Sequence, residues 1–215
     1  MRHANAVADP TPARRPTPTK DRLIEAARAL MIERNAVDFS LQEVAGRSGL
    51  NSALVKYHFG NKDGLLLAIL ERDAADAVAQ MDRLAARGMS ATDKLRAHIN
   101  GVIETYHRRP YMNRLVHLMM HERGEDAAEQ VARFFVTPLV AFQRSLLEQG
   151  VKTGEFRRVE PMFFYHSVIG ACEHLFASPA AMRQAFADQP LDDALRRRYA
   201  AHVVELVSRG LLRPA

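Results

Sequence analysis

Residues 39–61 carry two helix starts and two helix stops in immediate succession, and this punctuation restricts the fold more than any other feature of the chain. In Phe39-Ser40-Leu41-Gln42-Glu43-Val44, Ser40 stands as an N-cap and Glu43 closes a capping box. Phe39 and Val44 have the spacing of a hydrophobic staple. Gly49 supplies the residue that accepts positive φ where such a helix stops. The signals then repeat: Asn51 is placed as a cap, with Leu50 and Val55 spaced as the second staple. This helix ends near Tyr57-His58-Phe59-Gly60, and Asn61 caps a long helix that continues to about residue 87. Upstream, Thr17 as cap and Pro18 in the first position open an amphipathic helix. Its stripe is Leu23, Ile24, Ala27, Leu30 and Met31, and it ends near Asn35. Two short helices around a glycine turn, packed on a preceding helix, are the parts of a helix-turn-helix, although purely structural helix pairs of this kind also occur in enzymes and repeat proteins.

Charge follows the same division. The chain has 30 Lys and Arg against 25 Asp and Glu, a net charge of +5. Residues 1–62 hold 10 of the basic and 6 of the acidic residues, so nearly all the excess is in the first third. That is the asymmetry expected when one end of a protein meets a polyanion, and a solvated basic surface is the plainer alternative. Residues 1–16 read as a disordered basic tail, broken by Pro10, Pro12 and Pro16 and poor in apolar residues. Arg14 and Arg15 are its only candidates for touching a phosphate backbone. One cysteine, Cys172, excludes an intrachain disulfide and suits a cytoplasmic protein. No apolar run approaches the roughly 18 residues of a membrane span, and the first residues have no signal-like apolar stretch. No segment alternates as a strand does, so the expected class is all-α.

From Phe39 to Leu66 the sequence FSLQEVAGRSGLNSALVKYHFGNKDGLL resembles the DNA-binding domain of the TetR family of bacterial transcriptional regulators. The resemblance rests on the capped helix, the Ala45-x-x-x-Gly49 segment, the Tyr57-His58-Phe59 cluster and the Asn61-Lys62 opening of the next helix. It covers about residues 17–77, and Thr153-Gly154-Glu155-Phe156-Arg157 is a second familiar stretch. It implies an N-terminal three-helix helix-turn-helix domain at 17–77, followed by a larger helical ligand-binding and dimerisation domain at 78–215. It further implies a double-stranded palindromic operator, a small-molecule effector and a homodimer as partners, with repression relieved by the ligand. An activator or ligand-independent regulator of the same fold is the alternative, and a helical metal-dependent enzyme is the alternative from another class.

Carried over residue by residue, the resemblance puts the DNA-binding group at Ser40, Asn51, Ser52, Ala53, Leu54, Lys56, Tyr57, His58 and Lys62. Lys56 can donate to guanine O6 and N7, and Ser52 is a permissive hydrogen-bond partner. Leu54 suits either a thymine methyl or the domain's own core. The family commonly has threonine and an aromatic where this chain has Leu54 and Lys56. Lys62 stands in the first turn of a helix, where its ammonium and the free N–H groups can share a phosphate.

The remaining residues predict helices over 91–108, 111–123, 125–150 (bent or divided by Pro138), 161–177 and 192–209. The last two are apolar over more than one face, which calls for burial on two sides. Ile169, Cys172, Phe176, Tyr199, Val203 and Leu206 are accordingly the candidate dimer interface. Tyr106, His107, His117, Met120, Phe135, Phe142, Tyr165 and His166 combine apolar bulk with a few polar groups and are the candidate ligand-binding residues, with plain core packing as the alternative. His117 and His121 are four residues apart beside Glu122, but no His-Glu-x-x-His motif is present, and neither metal nor cofactor is expected. No Gly-rich phosphate loop, nucleophile elbow or carboxylate pair points to catalysis.

Overall fold

The computed structural model describes residues 18–177, 182, 184–186 and 190–212. The tail at 1–16, its Arg14 and Arg15, and Thr17 lie outside them. Helix α1 (Thr19–Arg34) follows Pro18 in the cap position, so it starts one residue later than the sequence suggests. Pro18 holds an extended ψ of 143° instead of entering the helix. At the other end Asn35 turns left-handed, φ 46°, and closes α1 with backbone bonds to Met31 and Ile32.

Local chemistry fixes the next two helices. Helix α2 (Leu41–Ser48) has a full capping box: Ser40 Oγ accepts from the Glu43 amide and the Glu43 carboxylate accepts from the Ser40 amide. It stops at Gly49, φ 66°. Helix α3 (Ala53–Phe59) begins with the Asn51 carboxamide accepting from the Ala53 amide at 2.8 Å. Helix α4 (Lys62–Ala85) begins with Asn61 accepting from the Gly64 amide. Gly64 is required there, because a Cβ at this site would overlap the Phe59 carbonyl. The α3–α4 corner is therefore tight. Leu23, Met31, Phe39, Val44, Val55, Leu65 and Leu66 form the small core beneath α1–α4. The expected domain division at residue 77 falls inside α4, which is one uninterrupted helix.

Helices α5 (Ala91–Arg108), α6 (Met112–His121), α7 (Glu125–Val131), α8 (Thr137–Thr153), α9 (Pro161–Ala177) and α10 (Asp193–Leu211) make the larger layer, with α5 packed against α4, α8, α9 and α10. Residues 132–136, between α7 and α8, are a π-helical turn in which the Thr137 amide reaches back to Ala132. Pro138 has no N–H to offer Phe134, and the ladder absorbs that loss by widening just before it. The predicted bend is thus a π-turn in a continuous helical run. Helix α6 is shorter at both ends than the 111–123 expected.

Two polar clusters, one buried and one partly exposed, tie the layers. Asp73 of α4 is fully buried and meets Arg28 of α1 at 3.0 Å and Arg109 at 3.1 Å, while the Tyr111 hydroxyl donates to it at 2.5 Å. Burial pushes the Asp73 carboxyl above its ordinary range, and these three partners hold it back. Glu155, in the turn after α8, caps α5: its carboxylate accepts from the Ala91 and Thr92 amides and from the Thr92 and Thr153 hydroxyls. Burial alone would raise this carboxyl; the hydrogen bonds outweigh it and bring it to about 2.

Removing Asp73 strands two guanidiniums that the fold holds together. Asp73→Ala is expected to lower the stability read from urea denaturation by about 3 kcal/mol, the lower end for breaking a buried pair because Arg28 and Arg109 keep some contact with water. The Glu155 carboxyl is depressed in the folded state, so its contribution is fully present above about pH 4.5 and is lost as the pH falls toward 2. Glu155→Gln should accordingly have a lower Tm at pH 7 and a smaller further loss between pH 5 and pH 3 than the parent. Parallel Tm curves for the two proteins would refute the assignment.

Candidate nucleic-acid interface and core cavity

Helix α3 presents its start and one face outward. Ala53 and Lys56 are exposed, Ser52 and His58 are half-buried, and Tyr57 is 81% exposed. Val55 is fully buried, and Leu54 packs against the core, which is where its side chain is placed. The hydroxyl oxygen of Ser40 is engaged as a cap. At α3 the N-cap is Ser52, not the expected Asn51, whose carboxamide oxygen accepts from the Ala53 amide from one residue earlier. Ser40 and Asn51 therefore each offer a partner their remaining hydrogens. The Tyr57 and His58 rings meet edge-on at 4.9 Å.

The cations around this face divide into two groups. Arg34 is paired with Glu43 and Arg47 with Glu33, and Arg22 donates to the Ser48 carbonyl. The Glu43 carboxyl, hydrogen-bonded by the Arg34 side chain first and by Ser40 second, is held down at about 2. Lys20, Lys56 and Lys62 have no ion pair among the described residues. Lys62 lies over the Phe39 ring at 4.8 Å and Lys20 over Phe59 at 5.7 Å, so packing on aromatic faces holds their stems while the charge stays unneutralised. Lys20 was missed in the sequence reading; its position one residue into α1 gave no sign that it would reach α3.

A cavity of about 90 Å³ lies between α4, α5, the π-turn, α8 and α9. Of the candidate ligand residues, Tyr106 and Phe135 are on its wall. Met120, Tyr165 and His166 line a separate open groove on the α6–α9 side, and Ile169 borders both. His107 is elsewhere, 3.1 Å from Asp193 and edge-on to Phe176. His117 is exposed beside His121 and 3.8 Å from Glu122, away from the cavity. Phe142 packs on His98. His98 and its partner Gln143 escaped notice in the sequence, although both interrupt apolar stripes: Leu95, Ile99 and Val102 surround one, Leu139, Leu146 and Leu147 the other. Asp73, between Leu70 and Ala74 on the buried side of α4, carried the same signal.

The six candidate interface residues on α9 and α10 also separate. Cys172, Phe176 and Val203 are buried against their own chain, so they do not form an outward face. Burial, with the Glu173 charge second, pushes the Cys172 thiol up to about 12. Tyr199 donates to the Ala171 carbonyl at 2.5 Å and ties α10 to α9. Ile169 turns toward the cavity. Leu206 alone of the six is exposed, at 59%, and it shares a surface hollow with Phe163, which is 65% exposed.

Among the described residues no group of three or more His, Cys, Asp and Glu is placed to hold a metal ion, and no helix is long and apolar enough to cross a membrane.

Comparison with known proteins agrees with this arrangement. Residues 23–69 match the family described as bacterial regulatory proteins of the tetR family, and residues 88–215 match the tetracyclin repressor-like C-terminal domain. A curated relative, the HTH-type transcriptional regulator BetI 2 of Chromohalobacter salexigens, is 33% identical over 88 residues, 40% of each chain. BetI of Stenotrophomonas maltophilia is 34% identical over 85 residues, 38% of this chain and 42% of its own. The match thus spans less than half the length of these curated relatives. Among solved structures, FadR of Bacillus subtilis in complex with stearoyl-CoA superimposes with a TM-score of 0.64 at 13% identity, covering 86% of this chain and 97% of that one. AibR, solved with isovaleryl coenzyme A and operator DNA, gives 0.65 at 23% identity over 87% and 96%. With both family domains matched in order along its length, the chain belongs to the TetR family of bacterial regulatory proteins.

Proposed function

We propose that the protein is a homodimeric DNA-binding transcriptional regulator of the cytoplasm, a repressor that occupies a palindromic operator and leaves it when a small molecule enters the cavity between α4, α5, α8 and α9. The observation that carries this reading is the charge pattern around α3. Arg34 of α1 and Arg47 of α2 are neutralised within the domain, whereas Lys56 and Lys62 stand unpaired beside the exposed Tyr57. A helix with that flank fits a major groove, with Lys56 and Ser52 at base edges and Lys62 on phosphate. Operator DNA in the AibR complex, and acyl-CoA in both solved relatives, support the two kinds of partner.

The coupling follows from α4. Its first turn sets the α3 corner through Asn61 and Gly64, and Met81 and Leu84 near its end line the cavity. A ligand that favours a different position of α4 changes the distance between the two recognition helices of a dimer. It weakens DNA binding by its differential affinity for the two states. The dimer itself is assigned to the Phe163–Leu206 surface of α9 and α10, where two large apolar side chains stand exposed around one hollow.

The two lysines separate positioning from readout. An operator obtained by selection from randomised duplexes serves as target, with random DNA and single-base variants alongside. Lys62→Ala should weaken binding to every sequence about equally and lower the salt slope by roughly one. Lys56→Ala should change base preference, with a loss of roughly 1–3 kcal/mol confined to particular operator positions. An altered base preference from Lys62→Ala with none from Lys56→Ala would mean that α3 does not lie in the groove as assigned.

The dimer face is checked by light scattering. Leu206→Glu and Phe163→Glu should each give folded monomers with unchanged far-ultraviolet circular dichroism. Val203→Ala, inside the protomer, should lower the Tm and leave the dimer intact. A stable dimer from both glutamate variants would move the interface elsewhere.

A further inference from the structure

We propose that the cavity takes a small uncharged molecule, a short aliphatic chain with one amide or hydroxyl group, and that His98 binds this group while Gln143 orients the imidazole. The inference rests on the reading of this cavity as the effector site and specifies what that site selects. The wall contains no Asp, Glu, Lys or Arg; apart from Gln80, its polar members are His98, Thr105 and Tyr106. Thr105 already donates to the Gly101 carbonyl at 2.9 Å, and Tyr106 faces Glu173 at 3.5 Å. Met81, Phe135, Leu139 and Ile169 make up the apolar remainder. An ion entering this site would lose its hydration and find no counter-charge.

His98 has the one ring placed to hold a polar group. It is buried, and burial lowers its pKa to about 4, so the imidazole is neutral near pH 7. One ring nitrogen, Nε2, is 3.0 Å from Gln143 Nε2, and this is the ring's only hydrogen bond among the described residues. A neutral imidazole has one donor and one acceptor, so Nδ1 is left to present whichever role Nε2 does not take. Gln143 decides which. Its side chain is buried and off the cavity wall, and its Oε1 has no hydrogen-bond partner, so nothing locks the carboxamide in one orientation. With the amide nitrogen toward the ring, Nδ1 is a donor; with the oxygen toward the ring, it is an acceptor. An amide or hydroxyl group can meet either, and a carboxylate or ammonium only one. The volume, about 90 Å³, is smaller than the roughly 150 Å³ cavity that holds the six non-hydrogen atoms of benzene, which limits the enclosed part of the ligand to about four non-hydrogen atoms.

Four probes with similar short chains test this on the full-length dimer: pentanamide, pentan-1-ol, pentanoate and pentylammonium, by calorimetric titration and by Tm. The amide and the alcohol should bind and raise the Tm, with both ions at least tenfold weaker. His98→Leu should weaken pentanamide about tenfold, the share of one neutral hydrogen bond. Gln143→Met, which removes the ring's hydrogen-bond partner, should weaken pentanamide and pentan-1-ol without abolishing the binding of either. Gly101 is on the wall and an added Cβ there meets nothing within 4 Å, so Gly101→Leu fills the space and should remove binding of all four. Val102→Phe repeats the blockade if that variant fails to fold. Equal or tighter binding of either ion, pentanamide affinity unmoved by His98→Leu, or binding that survives both fillers would overturn the proposal. So would the absence of neutral-probe binding by protein that still holds its operator. Binding as expected with operator affinity unchanged would leave the ligand class standing and overturn the effector reading alone.

Discussion

The buried carboxylate of Asp73 is the constraint on which the relation between the two layers depends. A charge removed from water at mid-helix must be met by opposite charge and donors, and the chain supplies them from two directions: Arg28 from α1, Arg109 and Tyr111 from the corner between α5 and α6. Apolar packing at the same place would be satisfied by many small slides of one helix on another. An ion cluster with one hydroxyl at 2.5 Å and two guanidiniums near 3 Å is satisfied by few. It therefore sets the register of α1 on α4, and so the pose of α2 and α3, relative to the larger domain. Burial disfavours the charge on Arg28 as well, yet the Tyr111 hydroxyl, Asp73 and Glu25 keep it firmly protonated. Arg114 adds a second tie, donating to Asn35 at the end of α1 and to Ala177 at the end of α9, where carbonyl ends of helices favour a cation.

Helix α4 is the one element that belongs to both domains. Its 24 residues span about 36 Å, long enough to carry the α3 corner at one end and the cavity wall at the other. Asp73 stands midway between Lys62 and Leu84. In the proposed mechanism a helix clamped near its centre would transmit displacement as rotation, so a small shift of Met81 and Leu84 would appear at Asn61 with opposite sense. Its first turn is also over-determined: Gly64 leaves no room between α4 and the Phe59 carbonyl, so α3 must follow α4. Small shifts at such packed contacts become discrete rearrangements, because close-packed interiors do not deform continuously.

What was legible in the sequence is what is decided within a turn or two of helix. The capping box at Ser40 and Glu43, the stops at Gly49 and Gly60 and the cap at Asn61 are local exchanges of hydrogen bonds, and each stands where the residues put it. The start of α1 moved by one residue because Pro18 is compatible with either side of that boundary. Long-range partners were not legible. Nothing in the residues near Asp73 announces Arg109 or Tyr111, 36 and 38 positions away; only the anomaly of an acid on an apolar stripe was available. The faces of α9 show the same limit. Helix periodicity identified two apolar sides, and tertiary packing alone decided that Cys172 and Phe176 turn inward and Phe163 outward. His117 and His107 were drawn toward a pocket by their chemistry, whereas their placement is set by which side of α6 and α5 meets solvent.

The two functional ends of the molecule work in opposite electrostatic regimes, and this has a consequence for how one governs the other. Around α3 the proposed DNA contacts are unpaired lysines that stay hydrated until a phosphate displaces water and counterions, so the expected affinity there depends steeply on salt. The cavity wall carries no charge, so the proposed ligand would act by filling space and satisfying one imidazole, terms that salt scarcely screens. The proposed coupling between them would have to pass through packing, since Coulomb interaction over the length of α4 is far beyond the screening length of about 8 Å at physiological ionic strength. A shift of the DNA-bound fraction from 99:1 to 1:99 asks of the ligand a differential affinity of about 10⁴ between two placements of α4. That ratio is four decades, about 5.5 kcal/mol, and a single neutral hydrogen bond of about 1 kcal/mol supplies less than one of them. Under the proposed function, the larger share of the switch therefore has to come from how the cavity closes on the apolar chain of the ligand.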